Sequence, residues 1–251
     1  MGKLDGKVAV ITSGSTGIGR GIGEAFLAEG AKIVINGRDI EKGERALKEM
    51  SAGERGHFIR GDVTVREDVD AVVDGAVEKF GRIDILVNNA GGLIKTAPVA
   101  GLADEDWDYA VKWNLYSAFW ASRKALGYML PQKSGRIIAV SSTAVQRGEA
   151  FHTHYGATKG AVISFVKGLS TELAPHNILV NCVAPGWVDT DMSAKVLRTK
   201  SGLKDTVEQI ALGRVATADE IAGPLLFVAS DLSTFITGEV LNVNGGAVLC
   251  G

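Results

Sequence analysis

The chain has 251 residues, 46% hydrophobic and 22% charged, and its 27 Lys and Arg against 29 Asp and Glu leave a formal charge of −2. That balance excludes a disordered or fibrous chain, and with the basic residues scattered there is no footprint for a polyanion, so nucleic acid is not an expected partner. No apolar run reaches the roughly 18 residues that span a bilayer, and the opening "MGKLDGKVAV" lacks the apolar segment of a secretory leader, so a cytoplasmic setting without membrane contact is expected.

In chain order, short apolar runs at 8–12, 32–36, 56–60, 84–88, 136–142, 178–184 and 239–243 are strand candidates. Most are apolar on successive residues, the pattern of strands covered on both faces, as in a parallel sheet. Helical patterns lie between them at 17–29, 40–50, 66–80, 105–130, 154–174 and 217–230. Alternating strands and helices with right-handed crossovers predict a three-layer, doubly wound α/β sandwich with a seven-stranded parallel sheet. Ligands of such a fold collect outside the carboxyl ends of the strands. No proline-rich or low-complexity stretch divides the chain, so one domain over 1–251 is expected. Cys182 lies in an apolar run and Cys250 at the extreme C-terminus, a pattern that suits a reducing compartment rather than a disulfide framework.

Glycine is over-represented, with 32 copies concentrated in "SGSTGIGRGIG" after the first strand and in "NNAGG" after the fourth. The strict G-x-G-x-x-G fingerprint fits none of Gly14, Gly17, Gly19, Gly21 and Gly23 in any register. A free helix N-terminus at that turn still suits a pyrophosphate, through unpaired backbone N–H groups and the positive end of the helix dipole. Later in the chain, Tyr155 and Lys159 stand four apart on a helical pattern and so share a face. By itself such a pair is either packing or chemistry. As chemistry, an ammonium about 5 Å from the phenol at an effective dielectric near 20 contributes about 3 kcal/mol, enough to lower the tyrosine pKa by roughly two units.

The stretch "TSGSTGIG" from Thr12 to Gly19 resembles the T-G-x-x-x-G-x-G turn of short-chain dehydrogenases/reductases, with Ser13 where that family has its first glycine. Serine is tolerable there if the backbone angle is ordinary. The resemblance extends over nearly the whole chain through "GDV" (61–63), "NNAG" (88–91), "PGWVDT" (185–190) and "NVNGG" (242–246), the last with Asn244 in place of an acid. It implies a nicotinamide cofactor held by Ser13, Gly14, Ser15, Thr16, Gly17, Ile18 and Gly19. Asp62 and Val63 would hold its adenine, Asn89, Ala90 and Gly91 its ribose, and Pro185, Gly186, Val188 and Thr190 its nicotinamide, with Tyr155 and Lys159. An NAD-binding relative carries Asp at the end of the second strand. Here Gly37 takes that place and Arg38 follows, a guanidinium suited to a 2′-phosphate, so NADP(H) is expected over NAD(H). Otherwise Arg38 is a solvated charge beside Asp39.

The same resemblance implies a catalytic set of Asn114, Ser142, Tyr155 and Lys159, Ser142 lying thirteen residues before Tyr155. Tyr155 would move the proton, Ser142 hydrogen-bond the substrate oxygen, Lys159 depress the tyrosine pKa and hold a ribose, and Asn114 position a water leading to solvent. An Asn inside an apolar helix needs a partner, so a water or backbone group is expected at Asn114. No metal is required, and His57, His152, His154 and His176 form no ligand cluster. The segments 92–99, 143–154 and 187–205 are expected to select the substrate, with Gln146, Arg147, His152, His154 and Trp187 as wall residues. The chain most resembles 3-oxoacyl-[acyl-carrier-protein] reductases, yet the two basic carrier contacts of that group fall on Lys133 and His176, the second a weak cation. Sugar, steroid and small ketone substrates stay open beside an acyl carrier protein, as does a non-catalytic cofactor sensor on the same fold. The resemblance also implies a homotetramer.

Overall fold

The computed structural model describes residues 2–249; Cys250 lies outside them. The elements run β1 (Val8–Ile11), α1 (Gly17–Ala28), β2 (Lys32–Gly37), α2 (Ile40–Glu49), β3 (Gly56–Arg60), α3 (Arg66–Phe80) and β4 (Ile85–Asn88). The second half continues with α4 (Asp104–Val111), α5 (Ser117–Gln132), β5 (Gly135–Val140), α6 (Ala144–Arg147), α7 (Thr153–Leu173), β6 (Ile178–Pro185), α8 (Ala194–Leu197), α9 (Lys200–Val207), α10 (Ala218–Ala229) and β7 (Val240–Val243). All seven strands pair in parallel in one sheet, ordered β3-β2-β1-β4-β5-β6-β7. The order reverses direction beside β1, which opens a crevice between β1 and β4 at their carboxyl ends.

The unbroken apolar strands bury both faces. Ala9 and Ile11 of β1 point into a core shared with Ile22 and Phe26 of α1 and Ile221 and Leu225 of α10. Val8 and Val10, one residue out of phase, point into a second core with Val72 of α3, Ala125 of α5 and Val166 of α7. Ile11 pairs level with Ile35 on one side and Val87 on the other, so the turns that leave β1, β2 and β4 emerge together at one edge.

Two departures from the sequence-based expectation lie at that edge. The pattern at 105–130 is broken into α4 and α5 by a π-helical turn over Lys112–Tyr116, centred on Asn114, where one residue is wound in and the amide of Ser117 reaches Lys112 O. Such single π-turns inside α-helices are frequent at functional sites. The segments 143–154 and 187–205 carry short helices, α6, α8 and α9, whose few turns show no readable periodicity.

Candidate active site

The turn after β1 is packed to the limit of what glycine permits. A methyl group on Gly14 would fall 2.6 Å from Ile35 Cγ2, and one on Gly19 would fall 2.5 Å from Ser13 O. Neighbouring strands lace the turn in place. Asn89 Nδ2 donates to Thr12 O and Ser13 O at 3.0 and 3.2 Å, and Thr12 Oγ1 accepts from the amides of Asn89 and Ala90, both at 3.0 Å. Asn36 on β2 accepts from Ser13 N at 2.8 Å and donates to Gly61 O at 3.1 Å, tying the turn to the "GDV" segment. Thr16 caps α1 with no side-chain hydrogen bond, so the first-turn amides keep their donors for a ligand. Free amides, a glycine-lined approach and a helix N-terminus together fit the pyrophosphate of a nicotinamide dinucleotide.

Ser13 is not in an ordinary backbone conformation. Its φ is 52°, in the left-handed region where a Cβ is unfavourable. We expect Ser13→Gly to stabilise the fold by about 0.5–1 kcal/mol, the relieved strain exceeding the added chain entropy. Thermal unfolding checks this: the midpoint should rise by roughly 1–4 °C, and a fall would show that the serine is not strained.

At the adenosine end, Ser15 Oγ stands 2.9 Å from where a Gly37 side chain would begin, so Gly37 keeps this corner open. Arg38 is exposed, and its nearest carboxylate is Asp62, at 3.9 Å, rather than Asp39, which caps α2 by accepting from Lys42 N. Asp62 Oδ1 is already engaged by the amide and hydroxyl of Thr64. Arg60, at the end of β3, donates to Arg38 O at 3.3 Å and brings a second guanidinium to this corner. At the other end, Gly186 N donates to Val243 O, and a methyl on Gly186 would meet Asn244 Cα at 2.9 Å. Asn244 accepts from Gly246 N at 2.9 Å and so closes the "NGG" turn on which Pro185–Gly186 rests. Val188 is buried, and Thr190 faces the first turn, with its Cγ2 3.4 Å from where a Gly17 methyl would stand. Ile18 packs on the core behind.

Deeper in the crevice, Asn114, Lys159 and Gly91 converge. A methyl on Gly91 would lie 2.4 Å from Asn114 Oδ1 and 2.8 Å from Lys159 Nζ, so only glycine passes between them. Asn114 is satisfied by backbone: Oδ1 accepts from Gly92 N at 2.8 Å, and Nδ2 donates to Gly92 O at 3.2 Å. Lys159, almost fully buried, donates to Val140 O at 2.8 Å. Burial pulls its pKa down to about 8. The adjacent serines diverge: Ser141 Oγ donates to Lys159 O at 2.9 Å and fastens α7 to β5, whereas Ser142 Oγ accepts from Ala144 N and hydrogen-bonds Tyr155. Burial pushes the Tyr155 phenol up, the Ser142 bond pulls it down, and the Glu149 charge pushes it up again. The expected depression by Lys159 is therefore not found: the ammonium is turned to the Val140 carbonyl, and desolvation of the phenol dominates.

The family model described as Enoyl-(Acyl carrier protein) reductase matches residues 13–248. The chain is 36% identical to the 3-oxoacyl-[acyl-carrier-protein] reductase of Thermotoga maritima, over 98% of this chain and all of that one. It is 37% identical to the same-named protein of Aquifex aeolicus, over 97% and 98%. A crystal structure from Brucella melitensis, titled short-chain dehydrogenase/reductase SDR: glucose/ribitol dehydrogenase, superposes with a TM-score of 0.92 at 34% identity over 99% of both chains. The chain belongs to the short-chain dehydrogenase/reductase family. It is an oxidoreductase of the carbonyl/alcohol pair that works with a nicotinamide cofactor.

Within this short-chain dehydrogenase/reductase, the polar side chains of the segments expected to select the substrate are largely engaged with one another. Gln146 is exposed and donates to Asn242 Oδ1 at 2.8 Å. Arg147 pairs with Glu149, and His152 approaches Glu149 Oε2 at 3.4 Å and Thr96 Oγ1 at 2.9 Å. Trp187 is half-buried, with its carbonyl accepting from Ala216 N. His154 is not a wall residue: it is fully buried, and neither ring nitrogen has a partner. Met192 reaches over from the segment before α8, with Cε 2.7 Å from where a Gly92 methyl would stand. Among the described residues no three His, Cys, Asp or Glu side chains are grouped to hold a metal ion. Sequence reasoning passed over Asn36, Arg60, Thr96, Glu149 and Met192.

Proposed function

We propose that this chain reduces a ketone to a secondary alcohol with NADPH, reversibly, at Tyr155. The observation that carries the reading is the convergence of Asn114, Lys159 and Gly91 beside the Ser142–Tyr155 pair. A bound nicotinamide supplies the hydride. Tyr155 gives its phenolic proton to the nascent alkoxide, and Ser142 hydrogen-bonds the carbonyl oxygen and holds the phenol toward it. Lys159 binds a ribose, which holds the nicotinamide beside the phenol. Asn114 fixes the backbone at Gly92, through Oδ1 to the amide and Nδ2 to the carbonyl.

Arg38 and Arg60 beside Gly37 support NADPH over NADH. Arg38→Ala is expected to raise KM for NADPH about tenfold, the worth of one charge-assisted contact, with little change for NADH. Initial rates with the two cofactors side by side check it, and equal effects on both would remove Arg38 from phosphate recognition. The relatives' name supports a 3-oxo carbonyl as the reacting group. Lys133 and His176 are exposed and adjacent, Asn177 Nδ2 donating to Lys133 O at 3.2 Å, which supports a carrier contact with one firm cation. A sugar-type ketone is a second reading, favoured by the polar wall at Arg147, Glu149 and His152. The single sheet supports one domain over 1–251, and exposed Tyr116, Phe119 and Phe235 support a homotetramer. Among the described residues no helix is long and apolar enough to cross a membrane, which accords with a cytoplasmic setting.

The decisive screen follows NADPH and NADH absorbance over a panel of ketones. Turnover of at least one, faster with NADPH, is expected. Cofactor binding with no turnover of any carbonyl would favour a non-catalytic sensor.

A further inference from the structure

Proton transfer at Tyr155 needs only Tyr155 and Ser142 at the substrate oxygen, yet four more polar side chains stand beside them without a part in it. Glu149 is held by Arg147 on one oxygen and faces His152 Nδ1 with the other at 3.4 Å. His152 Nε2 lies 2.9 Å from Thr96 Oγ1. The chain of contacts joins the two walls of the cleft, which Ala97 N also ties together by donating to Phe151 O at 3.0 Å. Glu149 and His152 line a cavity of about 290 Å³ together with Ala144, whose amide donates to Ser142 Oγ, and Gly156, which follows Tyr155 in the chain. The Glu149 charge is near enough to act on the phenol.

Arg147, Glu149 and His152 each keep only 22–26% of their side-chain surface in contact with solvent. A long alkyl chain lying on them would remove that remaining water and return no hydrogen bond, which is costly for polar groups and most of all for the Arg147–Glu149 ion pair. A hydroxyl returns both a donor and an acceptor. After Arg147 and His152, the Glu149 carboxylate still has lone pairs free to accept.

We propose that Glu149, with His152 and Thr96, is the specificity element of this reductase, selecting ketones that carry a hydroxyl near the carbonyl over those carrying a long alkyl chain. Glu149 accepts from that hydroxyl, Arg147 fixes the carboxylate, and His152 and Thr96 supply the second contact. This rests on the reductase reading above and names its substrate class.

The test compares kcat/KM, with NADPH, for hydroxyacetone, butanone and a 3-oxodecanoyl N-acetylcysteamine thioester. Hydroxyacetone is expected to lead. In Glu149→Gln the hydroxyacetone-to-butanone ratio falls by about tenfold or more, chiefly through KM, as for a lost hydrogen bond to a charged group. Glu149→Asp, which keeps the carboxylate, recovers part of it, and His152→Asn lowers the same ratio independently should Glu149→Gln fold poorly. A thioester preferred over hydroxyacetone, or a ratio unmoved in both Glu149→Gln and His152→Asn, overturns the inference alone. Turnover of no ketone with either cofactor overturns the reductase reading and this one with it.

Discussion

Tyr155→Phe lowers kcat for ketone reduction by about a thousandfold, the scale of a lost general acid, and keeps NADPH affinity within about tenfold. The ring still packs where it did. What goes is the proton and the hydrogen bond with Ser142. The direction of the phenol's shift adds a pH signature. Because burial raises its pKa, the phenol stays protonated through neutral pH, so reduction proceeds there without an acid-limited step. Alcohol oxidation needs the phenolate, so its rate climbs with pH on the alkaline side. Initial-rate profiles in both directions, with cofactor affinity from fluorescence titration, check the pair of expectations. Oxidation that peaks at acidic pH would contradict the assignment of the proton to Tyr155.

Lys159→Met separates function from stability. It removes the ammonium proposed to bind ribose, so kcat/KM falls by about a hundredfold or more. Stability moves the other way. With a folded pKa of about 8 against the ordinary 10.5, keeping Lys159 charged at pH 7 costs the fold about 3 kcal/mol. The Val140 hydrogen bond lost in the variant returns about 1 kcal/mol of that. A net gain of about 2 kcal/mol and a melting rise of several degrees, on the order of 4–8 °C, are expected at pH 7. The sign fixes the window: the fold binds fewer protons than the unfolded chain between pH 8 and 10.5, so the wild type regains stability as pH rises through that range and the gap closes. Thermal unfolding of both proteins at neutral and alkaline pH measures this. A destabilised, equally pH-dependent variant would show that the ammonium is not buried at a cost.

The strands were legible because sheet residues buried on both faces must be apolar in succession, as in "VAVI" and "ILVNCVAP". The candidate site residues could be named only by resemblance, and the structure brings Asn114, Lys159 and Gly91 of that set together. Side-chain destinations were not. Asn36 reads as one polar residue in an apolar strand, and its role appears only once β3 lies beside β2 and brings Gly61 O within reach. Arg60 becomes relevant for the same reason. Nothing in a serine announces a positive φ, so the backbone at Ser13 was not legible where a glycine would have made it plain. Lys159 shares a helix face with Tyr155 by spacing, but its ammonium donates to the Val140 carbonyl at the end of β5. The π-turn at Asn114 likewise follows from the Gly92 backbone, which lies 22 residues away in sequence.

The central claim is that Ser142 and Tyr155 act as one proton-delivering unit. Single-turnover NADPH consumption by the Ser142→Ala/Tyr155→Phe double variant, beside each single variant, tests it most directly. Groups acting as a unit do not lose rate independently, so the double variant should fall within about threefold of Tyr155→Phe alone. Losses that multiply, or reduction that survives in Tyr155→Phe, would contradict the account.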